Sequence, residues 1–138
     1  MNQIEYRIVK NAAPDKILDL YRQAGWWTEQ DTPDSLDFIS RIISHTYCFA
    51  IALDGERIIG MGRIISDGVS DAYIQDVTVQ QDYRRQGIGQ QIIRTLVKHL
   101  KGNDITWIGL ISEPGYQSFY ENLGFSRMEG YTPFLLKE

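Results

Sequence analysis

Cysteine occurs once in these 138 residues, at Cys48. A lone cysteine excludes an intrachain disulfide and any cysteine-rich zinc site, so no metal is expected. Its place in the apolar run "YCFAIAL" predicts a buried, inert thiol rather than a nucleophile. Long apolar runs are missing as well, and no segment reads as a helix that crosses a bilayer. The opening "MNQIEYRIVK" lacks the apolar centre of a signal peptide, so the chain reads as cytosolic. Nor is there an excess of positive charge: Lys and Arg number 14 against 18 Asp and Glu, for a net charge of −4. That is the wrong sign for holding nucleic acid by an overall field, and neither nucleic acid nor membrane is an expected partner. Repeats, low-complexity tracts and linkers are also lacking, so residues 1–138 read as one domain, long enough to bury its own core.

What is present is a mixed α/β pattern. Ile4 to Val9 reads as a strand. "APDKILDLYRQAG" reads as a helix opened by Pro14 and stopped by Gly25, and a second helix starts at "TPDS", where Thr32 caps and Leu36, Ile39 and Ile43 keep helical spacing. "YCFAIALDGERIIGMGRIIS" is a hairpin turning at Asp54-Gly55, and "AYIQDVTV" (72–79) follows Asp67-Gly68 as the third strand of an antiparallel meander. Next come a helix striped by Ile92, Ile93, Leu96, Val97 and Leu100, and "ITWIGLI" (105–111), which reads as a strand buried on both faces. "PGYQSFYENLG" predicts a short helix from Pro114 to Gly124, and terminal strands are expected around Phe125 to Met128 and Tyr131 to Leu136. The closing "YTPFLLKE" has the character of a sheet edge able to pair with another subunit, which makes a homodimer an expectation.

Chemistry concentrates in "DYRRQGIGQQII" (82–93), where two arginines run into Gly87 and Gly89 at a helix start. The first amides of a helix lack intrahelical partners and lie at the positive end of its dipole, so phosphate oxygens suit them. Glycine keeps side chains out of the anion's path. A Walker A loop is excluded because Gln90 follows Gly89 where Lys would be needed, and a dinucleotide-binding turn is disfavoured by Ile92 at its third glycine position. The bland alternative is a tight turn with Arg84 and Arg85 merely solvated.

"RRQGIG" resembles the Arg/Gln-x-x-Gly-x-Gly/Ala pattern of the GNAT superfamily of acyl-CoA-dependent N-acetyltransferases, with Arg84, Gly87 and Gly89 on its defining positions. "VTV" upstream, "FYENLGF" downstream and the order of elements are similar too, so the likeness runs the length of the chain. "DAYIQDVTV" and "FYENLGF" further resemble the arylalkylamine or serotonin acetyltransferase-like branch. The resemblance implies a twisted, mostly antiparallel sheet with a splayed parallel pair, here 72–79 and 105–111, flanked by about four helices. It also implies acetyl-CoA as co-substrate. The pantetheine arm would run along Val77, Thr78 and Val79, and the diphosphate would meet Arg84, Arg85, Gln86, Gly87, Ile88, Gly89 and Gln90.

Carried over residue by residue, the family's proton donor falls on Tyr120, whose alternative reading is an ordinary packed tyrosine bonded to backbone. The base stays open between Asp76 and Glu113, a position where many relatives carry asparagine. Either carboxylate also has a plain structural reading, Asp76 as a buried hydrogen-bonding group and Glu113 as a helix cap. The tryptophans in "GWWTEQD", Trp26 and Trp27, read either as core lids or as pocket walls suited to a small, partly aromatic amine. Two further acceptors or roles stay open: a protein N-terminus or lysine, and a non-catalytic acyl-CoA-binding module.

Overall fold

The computed structural model describes residues 3–137. Its sheet is built around β2 (Cys48–Asp54) and β3 (Arg57–Ser66), both nearly continuous in apolar residues. Along β2 the two sets of side chains serve two different cores. Cys48, Ala50 and Ala52 face one, and Phe49, Ile51 and Leu53 face the other. A strand covered on both sides has no polar alternation to show, which is why this run is uniformly apolar. The hairpin turns one residue later than the sequence suggests: Asp54 pairs with Arg57, and the positive φ of +62° falls on Gly55.

β1 (Ile4–Val9) lies antiparallel to β2, and β4 (Asp71–Val79) antiparallel to β3. β5 (Trp107–Leu110) pairs with β4 in parallel, completing the order β1-β2-β3-β4-β5. One face is covered by α1 (Pro14–Gln23) and α2 (Pro33–His45), whose Ile17, Leu18, Leu20, Ile39 and Ile43 are buried. α2 opens with a capping box: Ser35 N–H donates to Thr32 Oγ1 at 3.1 Å, and Thr32 N–H donates to Ser35 Oγ at 2.6 Å. The other face carries α3 (Ile88–Gly102), through Ile92, Ile93, Leu96 and Leu100. Gly60 and Gly62 of β3 let α3 approach, since a Cβ at either would lie 2.9 or 2.8 Å from Ile92. Cys48 is buried, and burial pushes its thiol up to about 11, as an inert core thiol requires.

Three expectations need correction. The last helix, α4 (Gln117–Glu121), starts after Pro114 rather than at it, because Gly115 adopts a φ of +93° that no helix accepts. The apolar stretch 105–111 is not buried on both faces: Ile105 is fully buried, but β5 is the sheet's last strand and Trp107 is 41% exposed. The expected terminal strands at 125–128 and 131–136 form no ladder, and a strand without a partner is only extended chain.

Candidate functional site

The site originates in an irregularity of β4. Thr78 pairs with Met61 and Gln75 with Arg63, so Asp76 and Val77 together stand opposite the single Gly62. Asp76 takes a φ of +57°, a conformation that Asp tolerates better than most residues. The bulge bends the second half of β4 away. Its parallel pairing with β5 ends at Ile74 and Leu110, leaving Gln75 to Val79 beside a gap. A cleft of about 940 Å³ opens there, with Val77, Thr78 and Val79 along one wall and Leu110, Ile111 and Glu113 on the other.

At one end of the cleft lies the glycine turn. After a single 3-10 turn, Gln81–Tyr83, the chain reverses through Arg85 at φ +65° and Gly87 at φ +80°, and α3 starts. Gly87 is the N-cap and no side chain caps the helix, so its first amides remain available at the positive end of the dipole. A Cβ at Gly87 would meet nothing within 4 Å, and one at Gly89 would come no nearer than 3.5 Å to Phe119. Glycine at 87 is therefore needed for its backbone angle and for the open space over the amides. Arg84, Arg85, Gly87, Ile88, Gly89 and Gln90 line the cleft. Arg84 is not simply solvated: its Nε donates to the carbonyl of Val79 at 2.9 Å and ties the turn to the end of β4. Gln86 is exposed on the turn and does not line the cleft.

Tyr120 faces the cleft from α4. It is half-buried and stacks edge-on with Phe119 at 5.0 Å and Phe125 at 6.0 Å. Its hydroxyl has no hydrogen-bond partner among the described residues, unlike a packed tyrosine anchored to backbone. Burial raises its pKa first, and the neighbouring Tyr116 and Glu113 add to the rise, so the phenol stays protonated at neutral pH.

The two carboxylates differ in surroundings. Asp76 Oδ2 accepts from Arg63 Nε at 2.7 Å and from Tyr21 Oη at 2.7 Å, an ion pair whose side chains are only 18% and 23% exposed. Glu113 is exposed and accepts at Oε1 from the indole N–H of Trp26 at 2.8 Å. That bond spans the cleft from the loop after α1 to the segment after β5. Trp26 thus lines the cleft, whereas Trp27 does not: it packs on Phe38 at 6.1 Å between α1 and α2. Trp26 is 39% exposed, whereas the indole nitrogen of Trp27 is buried and its ring packs against the core under α1 and α2. Tyr21 and Arg63, the partners of Asp76, gave no sign in the sequence, because only the bulge swings Asp76 over Arg63. Tyr73 and Tyr83 also line the cleft unannounced, and Tyr116 lines it together with Tyr120, as helical spacing suggests.

Residues 14–125 match the acetyltransferase (GNAT) family. The chain belongs to that family. GCN5-related N-acetyltransferase 2, chloroplastic, of Arabidopsis thaliana is 40% identical over 52% of this chain and 30% of its own length. Serotonin N-acetyltransferase 2, chloroplastic, of Oryza sativa subsp. japonica is 34% identical over 51% of this chain and 35% of its own length. The chain therefore spans about a third of these curated relatives. Among solved structures, a GNAT family protein from Streptococcus pneumoniae TIGR4 is similar along 99% of this chain and 98% of its own, at 25% identity and a TM-score of 0.83. Among the described residues, the five-stranded sheet with one parallel pair and the four helices are the family's fold.

Proposed function

We infer that the chain transfers the acetyl group of acetyl-CoA to the primary amine of a small molecule, by direct attack with both substrates bound. The observation that carries this reading is one cleft with uncapped helix amides at one end and the unpaired Tyr120 phenol farther along it. A diphosphate on the amides of Arg85 to Gln90 gains both hydrogen bonds and dipole. A pantetheine arm beside Val77 to Val79 would pair its amides with strand backbone that β5 no longer meets, as an added strand does.

The chemistry then needs three aids. The amine nitrogen attacks the thioester carbonyl carbon, and the carbonyl oxygen, which gains charge, is met by a backbone N–H at or beside Val79. As the C–S bond breaks, the departing sulfur takes the proton of the Tyr120 phenol. The amine's own proton leaves to Glu113 through a water. Glu113 suits this role better than Asp76, whose oxygen is already engaged by Arg63 and Tyr21. We assign Asp76 to holding the bulge in place. The acceptor end, where the carboxylate of Glu113 meets the indole N–H of Trp26 and where Tyr73 also lines the cleft, favours a cationic amine with some aromatic surface.

Thiol release from acetyl-CoA across polyamines, arylalkylamines, amino acids and peptides tests the reading. Release with a small amine supports it. Release only with peptides would move the acceptor to protein, and binding without release for any amine would leave an acyl-CoA-binding module.

A further inference from the structure

The segment that carries the chain from β4 into the glycine turn is held by side chains of two other elements. Tyr83 Oη donates to Asp54 Oδ2 at 2.5 Å, and Arg57 Nη2 donates to Gln80 Oε1 at 2.5 Å. The Arg57 guanidinium also lies 5.4 Å from the centre of the Tyr83 ring and 3.9 Å from Asp82. Gln80 is buried and passes the contact on to β3: its Nε2 donates to Ile58 O at 3.0 Å, and its backbone N–H to Ile59 O at 2.8 Å. From the other side, Gln23 of α1 accepts the Gln81 N–H at 3.1 Å. Asp54 and Arg57 flank the β2–β3 turn, so the tip of that hairpin grips the chain just before the glycines.

These contacts divide the amides of the segment into two groups. The N–H groups of Gln80, Gln81, Tyr83 and Arg84 all have acceptors. From Arg85 to Gln90 none has one among the described residues, and the helical ladder begins only with Gln91 N–H donating to Gly87 O at 3.2 Å. Six free donors in succession bind an anion well only if the chain carrying them is already in place, since ordering it on binding consumes part of the affinity. Arg85 stands at φ +65°, which a residue other than glycine keeps only where its surroundings over-determine it.

We propose that Asp54, Arg57 and Tyr83 are positioning residues for the acyl donor: the hairpin tip braces residues 80–84, so that the amides of 85–90 stand aligned for the diphosphate. Neither Asp54 nor Arg57 lines the cleft, so their effect on the ligand passes through the turn. Stability is not their main contribution, because Arg57 is exposed and exposed charge contacts add little to it. The inference rests on the diphosphate site proposed above and adds what keeps its donors aligned.

Calorimetric titration of wild type and variants with CoA and with pantetheine tests it. Arg57→Gln, and Tyr83→Phe, which keeps the ring, should each weaken CoA binding roughly fivefold, as loss of a hydrogen bond to a charged group does, with pantetheine affinity and circular dichroism unchanged. Asp54→Ala should behave in the same way. Asp54→Asn keeps both an acceptor for the Tyr83 hydroxyl and the turn chemistry of the hairpin, so it should retain CoA affinity. If wild type prefers CoA over pantetheine and the preference is undiminished in Arg57→Gln, Tyr83→Phe and Asp54→Ala, the brace alone is overturned. Equal affinity of wild type for the two ligands overturns the diphosphate site and the brace with it. A fall in CoA and pantetheine affinity by the same factor would assign the cluster to general stability and overturn the proposal as well.

Discussion

The phenol of Tyr21 donates to the Asp76 carboxylate at 2.7 Å, fastening the first helix to the bulge that opens the cleft. Arg63 Nε meets the same oxygen at 2.7 Å from the neighbouring strand. Three elements thereby converge on one residue held at a positive φ of +57°. Nothing intrinsic to a strand would keep it there, and these two donors do.

Stability should respond to pH through this contact. Burial first, and the Asp76 carboxylate second, raise the pKa of Tyr21 above its ordinary value of 10.0. A raised folded value stabilises fully below the unfolded pKa and loses that contribution as pH climbs toward the folded one. Urea midpoints of the wild-type protein should therefore fall from about pH 10 upward. Tyr21→Phe should be less stable at pH 8 and fall less steeply between pH 9 and 11. Equal slopes in the two proteins would count against the assignment.

Tyr120→Phe should lower turnover roughly 10²-fold or more while affinity for CoA is unchanged, as loss of a general acid would. Because the pKa of Tyr120 is raised, the donor stays protonated through the neutral range, and its loss should appear only as a decline on the alkaline side. Stopped-flow or steady-state rates against pH check both points. Wild-type turnover in Tyr120→Phe removes the phenol from the mechanism.

Gly87→Ala separates backbone angle from crowding, since an added Cβ at this φ of +80° meets nothing. The left-handed angle alone should cost about 1–2 kcal/mol of stability. Relaxation of the turn should also weaken CoA binding, measured by calorimetry, more than it weakens acceptor binding. A variant with wild-type CoA affinity would show that the amides do not depend on this turn.

The family motif, the meander and the stripe of α3 were all legible because each depends on local order: glycines at a helix start, apolar strands around turns, helical spacing at Ile92, Ile93, Leu96 and Leu100. The glycine turn, Tyr120, Glu113 and Trp26 were named as well, and the fold brings them to one cleft. What stayed hidden is tertiary. Arg63 and Tyr21 reach Asp76 only because β4 carries an extra residue opposite Gly62. Trp27 could not be told from Trp26 without knowing which way the loop faces the core. The terminal segments have strand composition, but a ladder needs a neighbour, and composition does not supply one.

Trp26→Phe keeps the aromatic wall and removes the 2.8 Å bond to Glu113. One exposed hydrogen bond to a charged group is worth about 1 kcal/mol, so KM for the amine should rise roughly 5-fold with KM for acetyl-CoA unchanged. A change in the acetyl-CoA term alone would place Trp26 at the other end of the cleft.

Calorimetric titration with CoA and, separately, with pantetheine bears most directly on the claim that the start of α3 holds a diphosphate. CoA should bind at least roughly tenfold tighter than pantetheine, a difference of about 1.4 kcal/mol supplied by the phosphates on the amides of 85–90. Equal affinities, or no binding of CoA at all, would contradict it.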